Sequence, residues 1–399
     1  MNPTTPIDSV PVLDLTRQYA TIEREVVDAV TGVLQSGGYI LGTEVAAFEE
    51  EAAEYCGVKH AIGVASGTDA LLLSLRALGV GPGDAVLLPS FTFFATAGVV
   101  HNVGAKPVFV DIDPETFNVD PEHLRALMQD VTLRRTAKAI IPVHLYGQTA
   151  DMTEIMDVAT EYGLAVIEDA AQAIGATYRR SLTRPSEPHE PNELNEPRKA
   201  GGIGSFGAFS FYPTKNLGAC GDGGMITTND DAAAEKVRLL RVHGAKPKYY
   251  HRMIGTNSRL DAMQAAILRV KLRYLDAWSE ARRRVADVYD EALSSVSGIT
   301  PPRRGSGRTH IFHQYTVRVT DGKRDALREY LKEQGVGSMI YYPVPLHLQE
   351  CFKDLGYHEG DLPVSEKAAS EVLSLPIFPE ITPEEQGYVV ETIRGFYGA

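Results

Sequence analysis

The chain has 399 residues, 44% hydrophobic and 23% charged, and its 39 Lys and Arg against 52 Asp and Glu leave a net charge of −13. Such fractions exclude a wholly disordered or collagen-like chain, and no apolar run reaches the ~18 residues of a membrane span. The acidic balance argues against a nucleic-acid partner, and at ~100–200 residues per domain the length predicts two or three domains.

The start, MNPTTPIDSVPVLDLTRQ, lacks the basic and apolar stretches of a signal peptide, which predicts a cytoplasmic protein. Cys56, Cys220 and Cys351 are few, odd in number and widely spaced. They fit a reducing compartment and give neither a disulfide framework nor a metal spacing. Short apolar runs at 60–65, 85–89, 107–111, 138–145, 164–169, 207–211 and 224–228 predict strands. Amphipathic stretches at 68–78, 93–102, 121–129 and 150–162 predict helices between them. Strands spaced by helices imply an α/β fold with a mostly parallel sheet covered on both faces. From about 230 the pattern is helical, with a long run from 258 to about 295. A smaller C-terminal α+β unit follows, with a strand at 313–319 and a helix at 322–334. The expected organisation is a large unit over 1–270 and a second over 271–399. Residues 180–202, rich in Pro, Glu and Asn without apolar periodicity, read as a surface insertion.

Four features fall at predicted strand ends, where open parallel sheets bind ligands. Ser66, Gly67 and Thr68 open a helix, where free amides suit a phosphate, although a plain N-cap explains them too. The strand LAVIED ends in Glu168 and Asp169, followed by Gln172. A carboxylate there needs a partner, and a helix cap or a protonated ring nitrogen both qualify. In GAFSFYPTKNLGACGDGG, Lys215 follows a strand carrying Ser210 and precedes four glycines. Burial lowers the pKa of such an amine and makes it nucleophilic, whereas a solvated loop lysine has no such role. Asn257 and Arg259 precede the long helical run, and a guanidinium suits phosphate or carboxylate as well as a surface. Phosphate cradle, acid and Schiff-base lysine together are what pyridoxal 5'-phosphate requires.

At these residues the sequence resembles the DegT/DnrJ/EryC1/StrS family of sugar aminotransferases, of the fold-type I pyridoxal-phosphate class. The likeness runs through DLTRQY, SGTDAL, PSFTFFATA, PVHLYGQTADM, IEDAAQAIGA, SFYPTKNLGACGDGG, NSRLDAMQAAIL and YYPVPLH in order. It implies that Lys215 carries the cofactor and transfers the proton, that Asp169 pairs with the pyridine nitrogen, and that Gln172 lies near the phenolic oxygen. It implies that Phe93 stacks on the ring, with Phe91 and Phe94 as rivals. Ser66, Gly67, Thr68 and Ser210 would hold the phosphate, joined by Asn257 across a homodimer interface. Relatives that dehydrate sugars have His in place of the lysine. The NSRLD motif and the stretch before it are similar to members aminating 3-keto UDP-2-acetamido sugars, including uronic acids. Arg259 would then meet a sugar carboxylate, and Tyr341 and Tyr342 would line the sugar pocket. Some uronate-acting relatives have His at the position of Tyr341. The implied reaction uses L-glutamate as donor and pyridoxamine 5'-phosphate as carrier. Alternatives are a dTDP-3-keto-6-deoxyhexose aminotransferase, a non-catalytic regulatory relative, and a desulfurase using Cys351. Seven Lys or Arg and no acidic residue lie between Lys236 and Arg259, which predicts either a local positive field for a diphosphate-linked sugar or an ordinary basic helix face.

Overall fold

The computed structural model describes residues 7–179 and 196–398. Two helices open the chain, α1 (Leu15–Ser36) and α2 (Thr43–Cys56), with Asp14 capping α1 through the amides of Thr16 and Arg17. Then come β1 (His60–Val64), α3 (Gly67–Leu78), β2 (Ala85–Pro89), α4 (Ala95–Asn102) and β3 (Lys106–Val110). The short helices α5 (Pro121–Leu127) and α6 (Val131–Thr136) lead to β4 (Ala137–Ile140), α7 (Met152–Tyr162) and β5 (Ala165–Asp169). A two-residue pair, β6 (Thr177–Tyr178) and β7 (Arg198–Lys199), precedes β8 (Phe206–Ser210), β9 (Gly224–Thr228) and α8 (Asp231–Leu240).

The large sheet has the order β1-β9-β8-β5-β4-β2-β3. It is parallel from β3 through β8, and β9 alone runs antiparallel, inserted between β8 and β1. Its faces are dressed by different helices because successive side chains point opposite ways. Leu88 and Phe109 pack with Leu73, Val99 and Val237 of α3, α4 and α8. Leu87 and Val110 pack with Leu124, Ile155 and Val158 of α5 and α7. Covered on both sides, these strands read as unbroken apolar runs.

The predicted run from 258 to 295 divides into α9 (Ala262–Leu272) and α10 (Leu275–Leu293). Residues before Ala262 are held extended, since the Ala262 N–H donates to Tyr39 O at 3.1 Å. The break at Arg273–Tyr274 is where both side chains turn to Glu25 of α1. Beyond lie β10 (Ile299–Thr300), β11 (Tyr315–Val319), α11 (Arg324–Glu333), α12 (Pro363–Glu371), β12 (Val372–Leu375) and α13 (Pro383–Tyr397). Strands β10-β11-β12 form a three-stranded antiparallel sheet whose core takes in Leu327, Val389 and Ile393. Val10 is buried in that same core and pairs with Val336, so the start of the described chain packs with the C-terminal sheet.

The predicted strand over 138–145 stops at Ile140, and the predicted helices over 93–102 and 150–162 begin at Ala95 and Met152. Of the 180–202 insertion, residues 180–195 lie outside the described residues. Its end is not loose surface: β7 pairs with β6, Ala200 is buried, and Gly201 lies so close to Phe209 that a Cβ there would stand 2.3 Å from the ring.

Candidate active site

The last two residues of β5 face opposite ways, as a pleated strand requires. Glu168 is wholly buried and fully bonded. It accepts the amides of Gly201 (2.8 Å), Ile203 and Gly204 (both 2.6 Å) and lies 2.9 Å from His144 Nε2. The Ala150 N–H donates to His144 Nδ1, which puts the ring proton on Nε2, facing Glu168. Burial alone would raise the Glu168 carboxyl; His144 and the glycine amides outweigh it and hold the group below its ordinary value.

Asp169 is buried with far less support. Its Oδ2 accepts the Thr96 hydroxyl at 2.8 Å and its Oδ1 the Ala171 amide at 3.2 Å. Burial pushes this carboxyl up, opposed by Thr96, by Ala171 and by the charge of Lys215. A buried acid beside a cation and two neutral donors is poised for one further N–H.

Lys215 follows β8 through a turn closed by its own N–H on Tyr212 O at 2.8 Å. Gly218 lets the chain fold back on that turn, since a Cβ there would stand 2.2 Å from Pro213 O. Burial brings the half-buried Lys215 amine down to about 8, with Asp169 opposing the fall. The next residue, Asn216, donates from Nδ2 to Ile311 O at 3.1 Å, leaving Oδ1 facing His313 Nδ1 at 3.1 Å. Burial, then the charges of Lys215 and Arg282, keep His313 well below its ordinary value and hence neutral.

Helix α3 starts against the end of β8. A Cβ on Gly67 would lie 2.6 Å from Ser210 Cβ, so only glycine brings the helix N-terminus this close. Ser66 is the N-cap, its hydroxyl taken by the Asp69 amide at 3.1 Å. The amides of Gly67 and Thr68 are the first two of the helix and have no acceptor within it. Thr68 is exposed and Ser210 half-buried. The anion-binding capacity of this corner therefore lies in amides and in the Ser210 hydroxyl, with the Ser66 hydroxyl committed to its own helix.

The three phenylalanines after β2 separate by environment. Phe91 is buried, and Phe94 stacks on Phe352 at 5.6 Å and 27°. Phe93 is 56% exposed, its ring 6.2 Å from Tyr342, which leaves it free to cover a planar ligand. Gln172 accepts the Tyr146 N–H on Oε1 at 2.7 Å and donates from Nε2 to the Tyr342 hydroxyl at 3.2 Å. One amide N–H is left over. Tyr341 is held by its carbonyl, which accepts the Tyr146 hydroxyl.

Asn257 and Arg259 flank buried Ser258, whose Oγ accepts the Ala65 N–H at 3.2 Å, one residue before the α3 cap. Asn257 is exposed, Arg259 half-buried, and neither side chain is hydrogen-bonded among the described residues. Three of the seven cations leading there are spent on the fold. Lys236 donates to Ala77 O at 2.6 Å, Arg241 is buried on Glu49 and Gly63 O, and Lys246 pairs with Glu235. Only the two ion pairs cancel charge, since Lys236 on a neutral carbonyl keeps its own, so the local positive field is weaker than the sequence implies by those two cations. Thr96, His144, Asn216 and His313 escaped sequence reasoning; only Asn216, beside Lys215, carried a positional signal. Among the described residues no cluster of three His, Cys, Asp or Glu is placed to hold a metal ion, and no helix is long and apolar enough to cross a membrane.

The model of the DegT/DnrJ/EryC1/StrS aminotransferase family matches residues 20–394. A pleiotropic regulatory protein of Geobacillus stearothermophilus is 52% identical over 98% of this chain and 99% of its own. The UDP-N-acetyl-3-dehydro-alpha-D-glucosamine 3-aminotransferase of Acidithiobacillus ferrooxidans is 43% identical over 97% of each chain. The dTDP-3-amino-3,4,6-trideoxy-alpha-D-glucose transaminase of Streptomyces venezuelae is 42% identical over 96% and 95%. The crystal structure of S. venezuelae DesV in complex with a ketimine intermediate superposes with a TM-score of 0.90, at 41% identity over 98% of this chain and 100% of that one.

Proposed function

The chain belongs to the DegT/DnrJ/EryC1/StrS aminotransferase family, and from that premise we propose that it moves the amino group of L-glutamate onto C3 of a keto nucleotide-sugar, a UDP-2-acetamido sugar or its uronic acid. The observation that carries the proposal is Lys215, its amine brought to about 8, set against the under-supported buried Asp169. Together with the start of α3 they fit pyridoxal 5'-phosphate: an acid for the ring nitrogen, an amine free near neutral pH, and amides plus a hydroxyl for the phosphate. When bound, the cofactor supplies an electron sink, and its pyridoxamine form stores the nitrogen between the two half-reactions.

Around it each side chain has its own task. Asp169 holds a proton on the ring nitrogen. Gly67 and Thr68 bind the phosphate through their amides and Ser210 through its hydroxyl, while Ser66 shapes the turn. Phe93 covers one ring face and excludes water, and Gln172 turns its spare N–H toward the phenolic oxygen. Lys215, the attachment point, takes the proton from the donor Cα and returns one to the sugar carbon. Asn257 of the partner subunit completes the phosphate site in a homodimer. Arg259 binds the sugar carboxylate, and Tyr341 and Tyr342 line the sugar pocket. Residues 1–270 serve as the cofactor unit and 271–399 as the second unit, with the exception that the segment around Val10 packs into the second.

Two other readings have an observation each. A dTDP-linked 3-keto-6-deoxyhexose is favoured by the S. venezuelae transaminase, only one percentage point less identical than the UDP-sugar enzyme. A regulatory role is favoured by the name of the Geobacillus relative. Assays of both nucleotide-sugars with glutamate separate them, and turnover of the dTDP sugar alone would sink the UDP assignment. A cofactor band that glutamate never bleaches would sink the enzyme. Lys215→Ala should lower turnover about 1000-fold or more, the scale of losing the proton-transfer group.

A further inference from the structure

A second polar cluster lies between the segment carrying Phe93 and the segment carrying the paired tyrosines. Ser90 Oγ is 2.6 Å from His347 Nδ1, and His347 Nε2 is 3.0 Å from Glu366 Oε1. Ser90 and His347 are both buried. The Glu366 carboxylate can only accept, so the neutral ring donates from Nε2 and its Nδ1 takes the serine proton, while the His347 backbone N–H donates to Ser90 Oγ at 3.3 Å. The Ser90 carbonyl accepts the Leu346 N–H at 2.7 Å, while the Ser90 N–H donates to Val110 O at the end of β3. Glu366 is fixed in turn by the amides of Gly360 (2.9 Å) and Leu362 (3.3 Å). A serine, histidine and carboxylate in a row suggest a hydrolytic triad, but this serine is sealed from solvent and its hydrogen bonds are all spent inside the protein.

We propose that Ser90, His347 and Glu366 are positioning residues that hold the sugar-binding tyrosines in register with the loop bearing Phe93. Only Pro343, Val344 and Pro345 separate Tyr342 from Leu346 and His347. Prolines lock φ, and Pro345 sits at −62° with ψ 152°, a stiff extended link. A placement fixed at His347 therefore carries through to Tyr342, which meets Gln172 at 3.2 Å and Phe93 at 6.2 Å between ring centres. The cluster touches neither Lys215 nor Asp169, and the Phe93 segment stays anchored through the backbone bond from Ser90 N–H to Val110 O, which side-chain variants keep. The loss therefore falls on the tyrosine segment and the seating of the sugar and largely spares the reaction with glutamate. The proposal rests on the aminotransferase reading above, which assigns Tyr341 and Tyr342 to the sugar pocket.

The test uses the holoenzyme carrying His347→Gln, with Ser90→Ala as the guard against a histidine variant that does not fold. Bleaching of the cofactor band by glutamate alone reports the first half-reaction. Calorimetric titration with UDP-N-acetylglucosamine and with dTDP-glucose reports sugar binding. Bleaching within about twofold of the parent rate, with a nucleotide-sugar Kd weakened about tenfold, is the expected pattern for losing one buried hydrogen bond at the anchor. Unchanged Kd in Ser90→Ala, or bleaching and Kd failing in parallel, would overturn the positioning role. A parent enzyme that glutamate cannot bleach is a different result: it removes the aminotransferase reading, and the proposal with it.

Discussion

Glu168 and Asp169 are neighbours on one strand and live in opposite worlds. Glu168 has three amides and a histidine, and its charge is held below the ordinary carboxylate range. Asp169 has one hydroxyl and one amide, and burial pushes its pKa up. Burial is complete or nearly so for both, so the difference comes from the supply of donors. A saturated carboxylate ties the residue 200–204 segment to the sheet. An unsaturated one keeps a bonding direction open at the carboxyl end of β5, where a ligand can use it.

This contrast can be broken by mutation. The largest effect is expected from Glu168→Ala, which strands His144 and three amides and should cost about 3–5 kcal/mol, as removing one partner of a buried pair does. Chemical denaturation checks it, and the surviving folded enzyme should keep its activity. Asp169→Asn should do the reverse, leaving the denaturation midpoint unchanged or higher while turnover falls about 100-fold or more, the scale of losing a group that holds a proton in place.

The same pair predicts a pH signature in the apoprotein. Below about 8 the Lys215 amine is charged in folded and unfolded chains alike; between there and the ordinary 10.5 only the unfolded chain keeps the proton. Stability should therefore rise with pH across that window. Urea midpoints would show it, Lys215→Met should flatten it, and Asp169→Asn should move its onset below 8 because the opposing charge is gone. The smallest effect belongs to Gly67→Ala. Its Cβ would press on Ser210, and overpacking of this kind should weaken cofactor retention about tenfold in equilibrium dialysis.

Much of this was legible in the sequence. The seven strands of the large sheet lie on their apolar runs, with β4 ending well short of its run, and Lys215, Asp169 and the α3 turn fall at the strand ends their motifs indicated, because apolar runs and strand-end residues are local signals. What stayed hidden was decided at a distance. An apolar run does not say which way its neighbour points, so the reversed direction of β9 left no trace. The partner of Glu168 lies 24 residues back in the chain, at His144. The sequence offered Phe91, Phe93 and Phe94 together; only Phe352, more than 250 residues on, takes Phe94 out of contention. The break between α9 and α10 likewise answers to Glu25 on α1, which no periodicity within residues 258–295 reports.

The cations committed to the fold have a kinetic consequence. With Arg241 neutralised by Glu49 and Lys246 by Glu235, an approaching dianion meets first the mean field of a chain carrying −13. That repulsion acts over many ångströms, whereas the remaining cations act at contact. Added salt shortens the Debye length to about 8 Å near 0.15 M and so removes the long-range part first. Capture of a nucleotide-sugar should therefore quicken as salt is raised from low ionic strength, the opposite of an enzyme that steers its substrate in. Stopped-flow association rates measured against salt would read that sign directly.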